Sequence, residues 1–483
     1  MYNTICLKGL CMKRRLLPTL LCLAGGLAAY GALPAALPLA WAADLSQVYQ
    51  QALRNDPQLR EAEANRLASL EAKPQALANL LPQLGASASY SKDQNSGSQV
   101  VFDGSAFTSR ASSSELSAKG WSLSLRQNLF SWENWANLQQ ADAQVAQAEA
   151  DYRTVQQQLV LRTAEAYFNV LAARDTQTAA ETALEAIARQ LEQAEKRFEV
   201  GLIAITDVQE AKAAHDQATA TVIAGKRALA TRLEELRELT GEPFTELQRP
   251  GAEMPLVGPS PANEDQWVRQ ALEQNLALTS ARLAADVARE GISVAKGGHG
   301  PTLDLVARKN SSNTSGEVSS INQLGSLTNP VDTSSDGDSI GLQFSIPIYS
   351  GGATQSRVRQ AVYRHRASRE RLERVARETE RQTRDAFLGV VSEMSRVGAL
   401  KQAVASSQTA LEATEAGYEV GTRTAVDVLD SRRRLTDAET TYARSKYDYL
   451  LNVLRLRLAA GSLDEAALTQ TNGLLTETTN VSR

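Results

Sequence analysis

Asp427 and Asp430 stand three residues apart in a stretch without proline, so on a helix both carboxylates share one face. Paired acids on one face draw cations, and in the first turn of a helix they also favour the positive end of its dipole. Just before them come Tyr418 and Arg423, a phenol and a guanidinium. Such groups can hold two pieces of chain together through contacts worth about 0.2–1 kcal/mol each when partly exposed, weak enough to be released. They equally suit an ordinary polar surface beside a helix turn. Covalent chemistry has no comparable candidate. His215, His299 and His365 are scattered without ligand spacing, and neither Gly297-Gly298-His299-Gly300 nor Gly351-Gly352 leads into the Lys of a phosphate loop. The residues predict no enzyme, no cofactor and no metal site.

The elements that carry these residues are written twice. At an offset of 219 residues Ala52-Leu53 falls on Ala271-Leu272, Pro82 on Pro301, Leu84 on Leu303 and Ser131 on Ser350. At 220, Glu199-Val200-Gly201 falls on Glu419-Val420-Gly421, Asp207-Val208 on Asp427-Val428 and Gly241 on Gly461. A duplication this long fixes the order of elements twice. It also isolates exceptions: Tyr418 stands where the first copy has Phe198, and Arg423 where it has Ile203.

No proline occurs between Pro82 and Pro243 or after Pro347, which frees both stretches for long helices. Leu138, Ala141, Val145, Ala148, Tyr152, Val155 and Leu159 alternate spacings of three and four, a heptad seam rich in Ala. The pattern predicts helices over about 132–198 and 206–240, a turn at Gly201, and their repeats over about 353–418 and 425–460, with a turn at Gly421. Helical regions over 45–80, broken by Pro57, and 264–297 precede them. Each matches the shorter helices in length, so two stacked pieces can equal one long helix.

Between these come alternating segments. Leu84, Ala86, Ala88 and Tyr90 alternate with small polar residues, as do Trp121, Leu123 and Leu125; Leu303, Leu305 and Ala307 follow more loosely, then Ile340, Leu342, Phe344, Ile346 and Ile348. This period of two predicts strands over about 84–91, 120–130, 302–311 and 339–349, near the length of a membrane-crossing strand. The Ser-, Gly- and Asp-rich segments 92–119 and 312–338 suit exposed loops. By themselves, the pairs also suit soluble hairpins with one face on a core.

The chain has 483 residues and a formal charge of −4. Lys13-Arg14-Arg15, an apolar run from Leu16 and Ala40-Trp41-Ala42 predict a secretory signal over 1–42. Without it 47 basic and 55 acidic residues remain, a net −8 that argues against nucleic acid as main partner. All three cysteines, Cys6, Cys11 and Cys22, lie in that segment, so the rest has no disulfide or thiol chemistry. No apolar run after it is long enough for a membrane helix. An exported chain with four membrane-length strands cannot close a barrel alone, because about eight are needed and an open edge is not viable in lipid. It must oligomerise; physics does not fix the number.

The duplicated plan, Leu81-Pro82-Gln83-Leu84, Ile346-Pro347-Ile348-Tyr349-Ser350-Gly351-Gly352 and above all Val420-Gly421-Thr422-Arg423-Thr424-Ala425-Val426-Asp427-Val428-Leu429-Asp430 resemble the TolC family of outer-membrane efflux channels across residues 44–462. The resemblance implies a mainly α fold with a small β part: an antiparallel coiled-coil helical barrel continuous with a transmembrane β-barrel, four strands per chain and twelve per homotrimer. Residues 43–262 would form the first repeat, with 241–262 in an equatorial belt, and 263–483 the second; the tail 463–483 has no tie to the pattern. It implies a passive duct of a tripartite efflux or type I secretion system. The duct would sit in outer-membrane lipid and be opened by a periplasmic adaptor and an inner-membrane transporter of the ABC, RND or MFS type. It also implies that Tyr418 and Arg423 lock the periplasmic entrance against Thr206 and Asp207. Asp427 and Asp430 would ring the constriction, and Val200-Gly201-Leu202 and Val420-Gly421-Thr422 would be adaptor-docking tips. The competing reading is a non-conducting exported coiled-coil scaffold.

Overall fold

The computed structural model describes residues 43–102, 104–251, 253–322 and 325–481; the predicted signal segment lies outside them. Two helices dominate: α4, Trp132–Glu199, of 68 residues, and α8, Ala353–Glu419, of 67. At 1.5 Å per residue each reaches about 100 Å. Ser131 caps α4, its hydroxyl accepting from Asn134 N–H, and α4 ends before Gly201, which adopts φ +77°. α5, Ile205–Thr240, runs back and ends at Gly241, also at +77°. The second copy repeats this with α9, Ala425–Ala459, and Gly461 at +74°.

The shorter regions divide more finely than expected. Residues 45–80 form α1, Leu45–Asn55, α2, Pro57–Leu70, and α3, Ala72–Ala78. Residues 264–297 also divide, into α6, Glu264–Gln274, and α7, Leu276–Gly297, although no proline stands there. The break follows from capping: Asp56 and Asn275, 219 residues apart, each adopt an extended conformation and accept a hydrogen bond from the third residue of the next helix. Asn55 Nδ2 donates to Thr240 O at 2.6 Å where the end of α5 reaches the break between α1 and α2, and Asn275 Nδ2 donates to Ala459 O at 3.0 Å where the end of α9 reaches the break between α6 and α7.

The core lies around these joints. Leu159, Tyr167, Phe168 and Leu171 of α4 pack with Leu450 and Leu454 of α9, Leu45 and Val48 of α1 and Leu236 of α5. The tail, left unplaced by the sequence, belongs here: α10, Glu465–Asn472, precedes β6, Leu475–Asn480, which pairs antiparallel with β3, Glu246–Pro250. Tyr167 donates to Gln248 O at 2.6 Å and Tyr447 to Asp175 at 2.6 Å, so both buried phenols are satisfied.

The four strands form one antiparallel sheet in the order β1 (Gln83–Phe102), β2 (Phe107–Ser131), β4 (Thr302–Asn322), β5 (Gly325–Ser345), with β1 and β5 at open edges. They have 20, 25, 21 and 21 residues, about twice the expected length, and 92–119 and 312–338 are mostly strand where loops were expected. These outer halves are mostly polar on both faces, with Val100, Val101, Phe102, Phe107, Ile321 and Leu327 gathered near the turns, so the hydropathy alternation that marks a strand is missing although the ladder continues. Ile346 to Tyr349 instead leave the sheet, which ends at Ser345 ahead of Pro347. Among the described residues no helix is long and apolar enough to cross a membrane.

Candidate functional site

Register places the apolar residues of the inner halves on one side. Leu84 pairs with Leu125, Leu125 with Ala307, Ala307 with Ile340, and Leu305 with Leu342. A bulge at Leu129 sets Phe130 opposite Leu303, adding an aromatic ring to that face. Phe130, Trp132, Trp135 and Tyr349 are all exposed at the sheet–helix junction, and Tyr90 and Trp121 are exposed nearer the hairpin tips. Nine residues of strand between Trp121 and Phe130 span about 30 Å, or about 23 Å upright at a tilt near 40°, close to the apolar band of outer-membrane barrels.

The opposite ends of the long helices form two hairpin tips. Gly201 N–H donates to Phe198 O at 2.9 Å, and Gly421 N–H to Tyr418 O at 3.1 Å; both turns need the left-handed glycine. Val200, Leu202 and Val420 are at least 70 % exposed at the outermost turns, and Thr422 bonds back to Gly417 O at 3.0 Å. The tips therefore present bare apolar residues beyond a tight turn.

The second tip starts its returning helix differently from the first. Thr424 and Asp427 form a reciprocal capping box: Thr424 N–H donates to Asp427 Oδ2 at 2.9 Å and Asp427 N–H to Thr424 Oγ1 at 3.2 Å. The equivalent Ala204 has no side chain to cap with. Those bonds from Thr424, with a smaller contribution from Arg423, hold the Asp427 carboxyl below the usual carboxylate range. Asp430 bonds Arg433 at 3.0 Å and Arg434 at 2.7 Å, so its charge is locally compensated within one chain. Arg432 pairs with Glu415 of α8.

Tyr418 and Arg423 do not meet Thr206 or Asp207: among the described residues no hydrogen bond or ion pair joins them. Instead the Arg197 guanidinium of α4 lies 4.9 Å from the centroid of the Tyr418 ring, a cation–π contact between the two hairpins. Gln190 Nε2 donates to Ala425 O at 3.4 Å, a second link between them. Sequence reasoning missed Arg197 although the duplication marks it, since Gly417 is its counterpart. A Cβ at Gly417 would lie 2.8 Å from Arg423 Cγ and 3.2 Å from Thr422 Oγ1, so glycine makes room for Arg423 to fold back over the turn. Repeat two thus differs at Gly417 and Arg423, which depend on each other sterically, and at Tyr418, which meets Arg197.

No cluster of His, Cys, Asp or Glu able to hold a metal occurs among the described residues. The model of the outer membrane efflux protein family matches the chain twice, over residues 48–242 and 267–462. This chain belongs to that family. It is 40% identical over 441 residues to Outer membrane protein TolC of Escherichia coli K12, covering 91% of this chain and 86% of the relative. It is 31% identical over 431 residues to the alkaline protease secretion protein AprF of Pseudomonas aeruginosa, covering 89% and 86%. The Campylobacter jejuni CmeC outer membrane channel has the same fold, with a TM-score of 0.66 at 17% identity over 89% of this chain and 90% of that one. Family and fold agree with a mainly α architecture carrying a small β part.

Proposed function

We propose that this chain is a passive outer-membrane exit duct of an efflux or type I secretion system, assembled as a homotrimer. The observation that carries this reading is the four-stranded sheet with an apolar band and two open edges, continuous with helices of about 100 Å. An open edge in lipid is untenable, so β1 of one copy closes against β5 of the next; three copies give twelve strands. The apolar band and its aromatic borders then face lipid, and the helices extend the barrel into the periplasm. The relatives, one an outer membrane protein and one a protease secretion protein, support this class of duct.

At the periplasmic end, Tyr418 and Arg423 hold the entrance closed, with Arg197 as the contact within a chain and Thr206 and Asp207 as seats reached on assembly. Asp427 and Asp430 of three copies line the constriction as an acid ring. Val200, Gly201, Leu202, Val420, Gly421 and Thr422 seat a periplasmic adaptor, which joins the duct to an inner-membrane transporter. Purified protein should migrate as a heat-resistant trimer from outer-membrane fractions and conduct in planar bilayers, with conductance raised in Tyr418→Phe/Arg423→Ser. A non-conducting oligomer in both forms would favour the scaffold reading instead.

A further inference from the structure

The first five turns of α8 are unusually basic. Between Ala353 and Arg371 lie Arg357, Arg359, Arg364, Arg366, Arg369 and Arg371, against one acid, Glu370. Among the described residues none of the six enters an ion pair, whereas Arg374, Arg377 and Arg381 further down each have one and Arg384 has three. An isolated exposed pair contributes little to stability, so the contrast matters for field rather than for folding.

Arg357, Arg364 and Arg371 recur every seven residues. Such positions drift only about 20° per step around a helix, so the three guanidiniums form one ladder with rungs about 10 Å apart. Arg366 lies two residues from Arg364 and Arg369 two from Arg371, about 200° round, on the other side.

The direction of the ladder follows from its neighbours. Arg357 and Arg364 line one hollow with Glu133, Gly291, Ala295 and Gly298. On α4, Glu133 lies about 130° from the bisector of Trp132 and Trp135. On the trimeric duct reading those tryptophans face lipid, and Glu133, which lies against Gly297 of α7, is turned away from them, so the hollow is assigned to the lumenal side of the seam between α4, α7 and α8. Lumenal charge rings set what a pore admits: acids favour cations, and arginines favour anions and phosphates.

We propose that Arg357, Arg364 and Arg371 form a lumenal anion site beneath the barrel, three tiers of guanidinium that bind polyphosphate-like polyanions. The inference rests on the trimeric duct reading. Glu133 offsets one rung at most, leaving a positive belt at the membrane end of a tunnel whose other end carries Asp427 and Asp430. Guanidinium forks suit phosphate oxygens, so a compact polyanion with several phosphates fits better than chloride.

The test uses full-length protein in planar bilayers and inositol hexakisphosphate added on the barrel side. The parent channel is expected to be blocked at micromolar concentrations. Arg357→Gln/Arg364→Gln/Arg371→Gln is expected to weaken block at least tenfold and to shift the reversal potential in a salt gradient towards cations. Lysine at the same positions should keep most of the block, and Arg366→Gln/Arg369→Gln should leave it unchanged. Should the triple variant fail to assemble, Arg364→Gln alone should weaken block several-fold, and calorimetric binding to detergent-solubilised trimer should fall in parallel. A conducting channel whose block is the same in parent and ladder variants overturns the anion site and leaves the duct standing. Equal loss in the Arg366/Arg369 variant would also overturn it. A parent trimer without conductance would sink the duct reading first.

Discussion

At the scale of single residues, the second tip differs from the first in how Gly417, Tyr418 and Arg423 fill the turn and in the Thr424 cap. Gly417 leaves the space Arg423 occupies, and Tyr418 offers the ring under Arg197. Gly417→Ala is therefore expected to displace Arg423 and raise single-channel conductance towards that of Tyr418→Phe/Arg423→Ser; unchanged conductance would mean that Arg423 closes nothing. Asp427 yields a pH prediction. Its folded value is depressed, so its contribution to the helix start is fully present above the unfolded carboxylate value of about 3.9 and is lost as pH falls through the lower folded value. Amide protection over 424–428 should hold from pH 7 to 5 and weaken only in stronger acid, while Asp427→Asn should weaken it throughout. Hydrogen exchange on the intact protein checks both.

At the scale of elements, the buried pair of Asp56 and Arg162 joins capping to packing. Asp56 is 2 % exposed; its Oδ2 accepts from Leu59 N–H at 3.0 Å and from Arg162 at 2.7 Å. Asp56→Ala removes the cap and strands a mostly buried guanidinium, at a cost of about 3 kcal/mol. Denaturant unfolding of the full chain should show the loss, and Arg162→Met in the same background should recover part of it. The long helices were legible because proline-free stretches end at glycines that the duplication repeats. The break at Asn275 was legible only by comparison with Asp56, because an asparagine cap interrupts a helix without announcing it as proline does. Arg197 against Tyr418 and β6 against β3 escaped notice because both contacts join residues more than two hundred positions apart.

At the scale of the whole molecule, the sheet is taller than a membrane. From Tyr90 to Phe102, β1 continues for twelve residues beyond the aromatic border, about 40 Å of strand and about 30 Å upright at a tilt near 40°. The sequence concealed this because strands wetted on both faces have no apolar side to alternate with a polar one. Register is kept instead by paired polar groups such as Lys92 with Glu115 and Ser319 with Thr328. Deleting the paired ends Asp93–Leu116 and Thr314–Thr333 and rejoining each hairpin with a short turn should leave the heat-resistant trimer and its membrane insertion intact. If the trimer is lost, the outer halves hold the barrel together and are more than an extension of it.

The joints at Asn55 and Asn275 have a mechanical consequence. Each hairpin pairs a helix that runs unbroken past the core, α4 or α8, with one that ends inside it, α5 or α9. Leu236 of α5 and Leu450 and Leu454 of α9 are buried in that core, so both helices of a hairpin are gripped at the root and the hairpin is a beam clamped at one end. The displacement of such a beam is greatest at its free end, where the weak polar contacts sit.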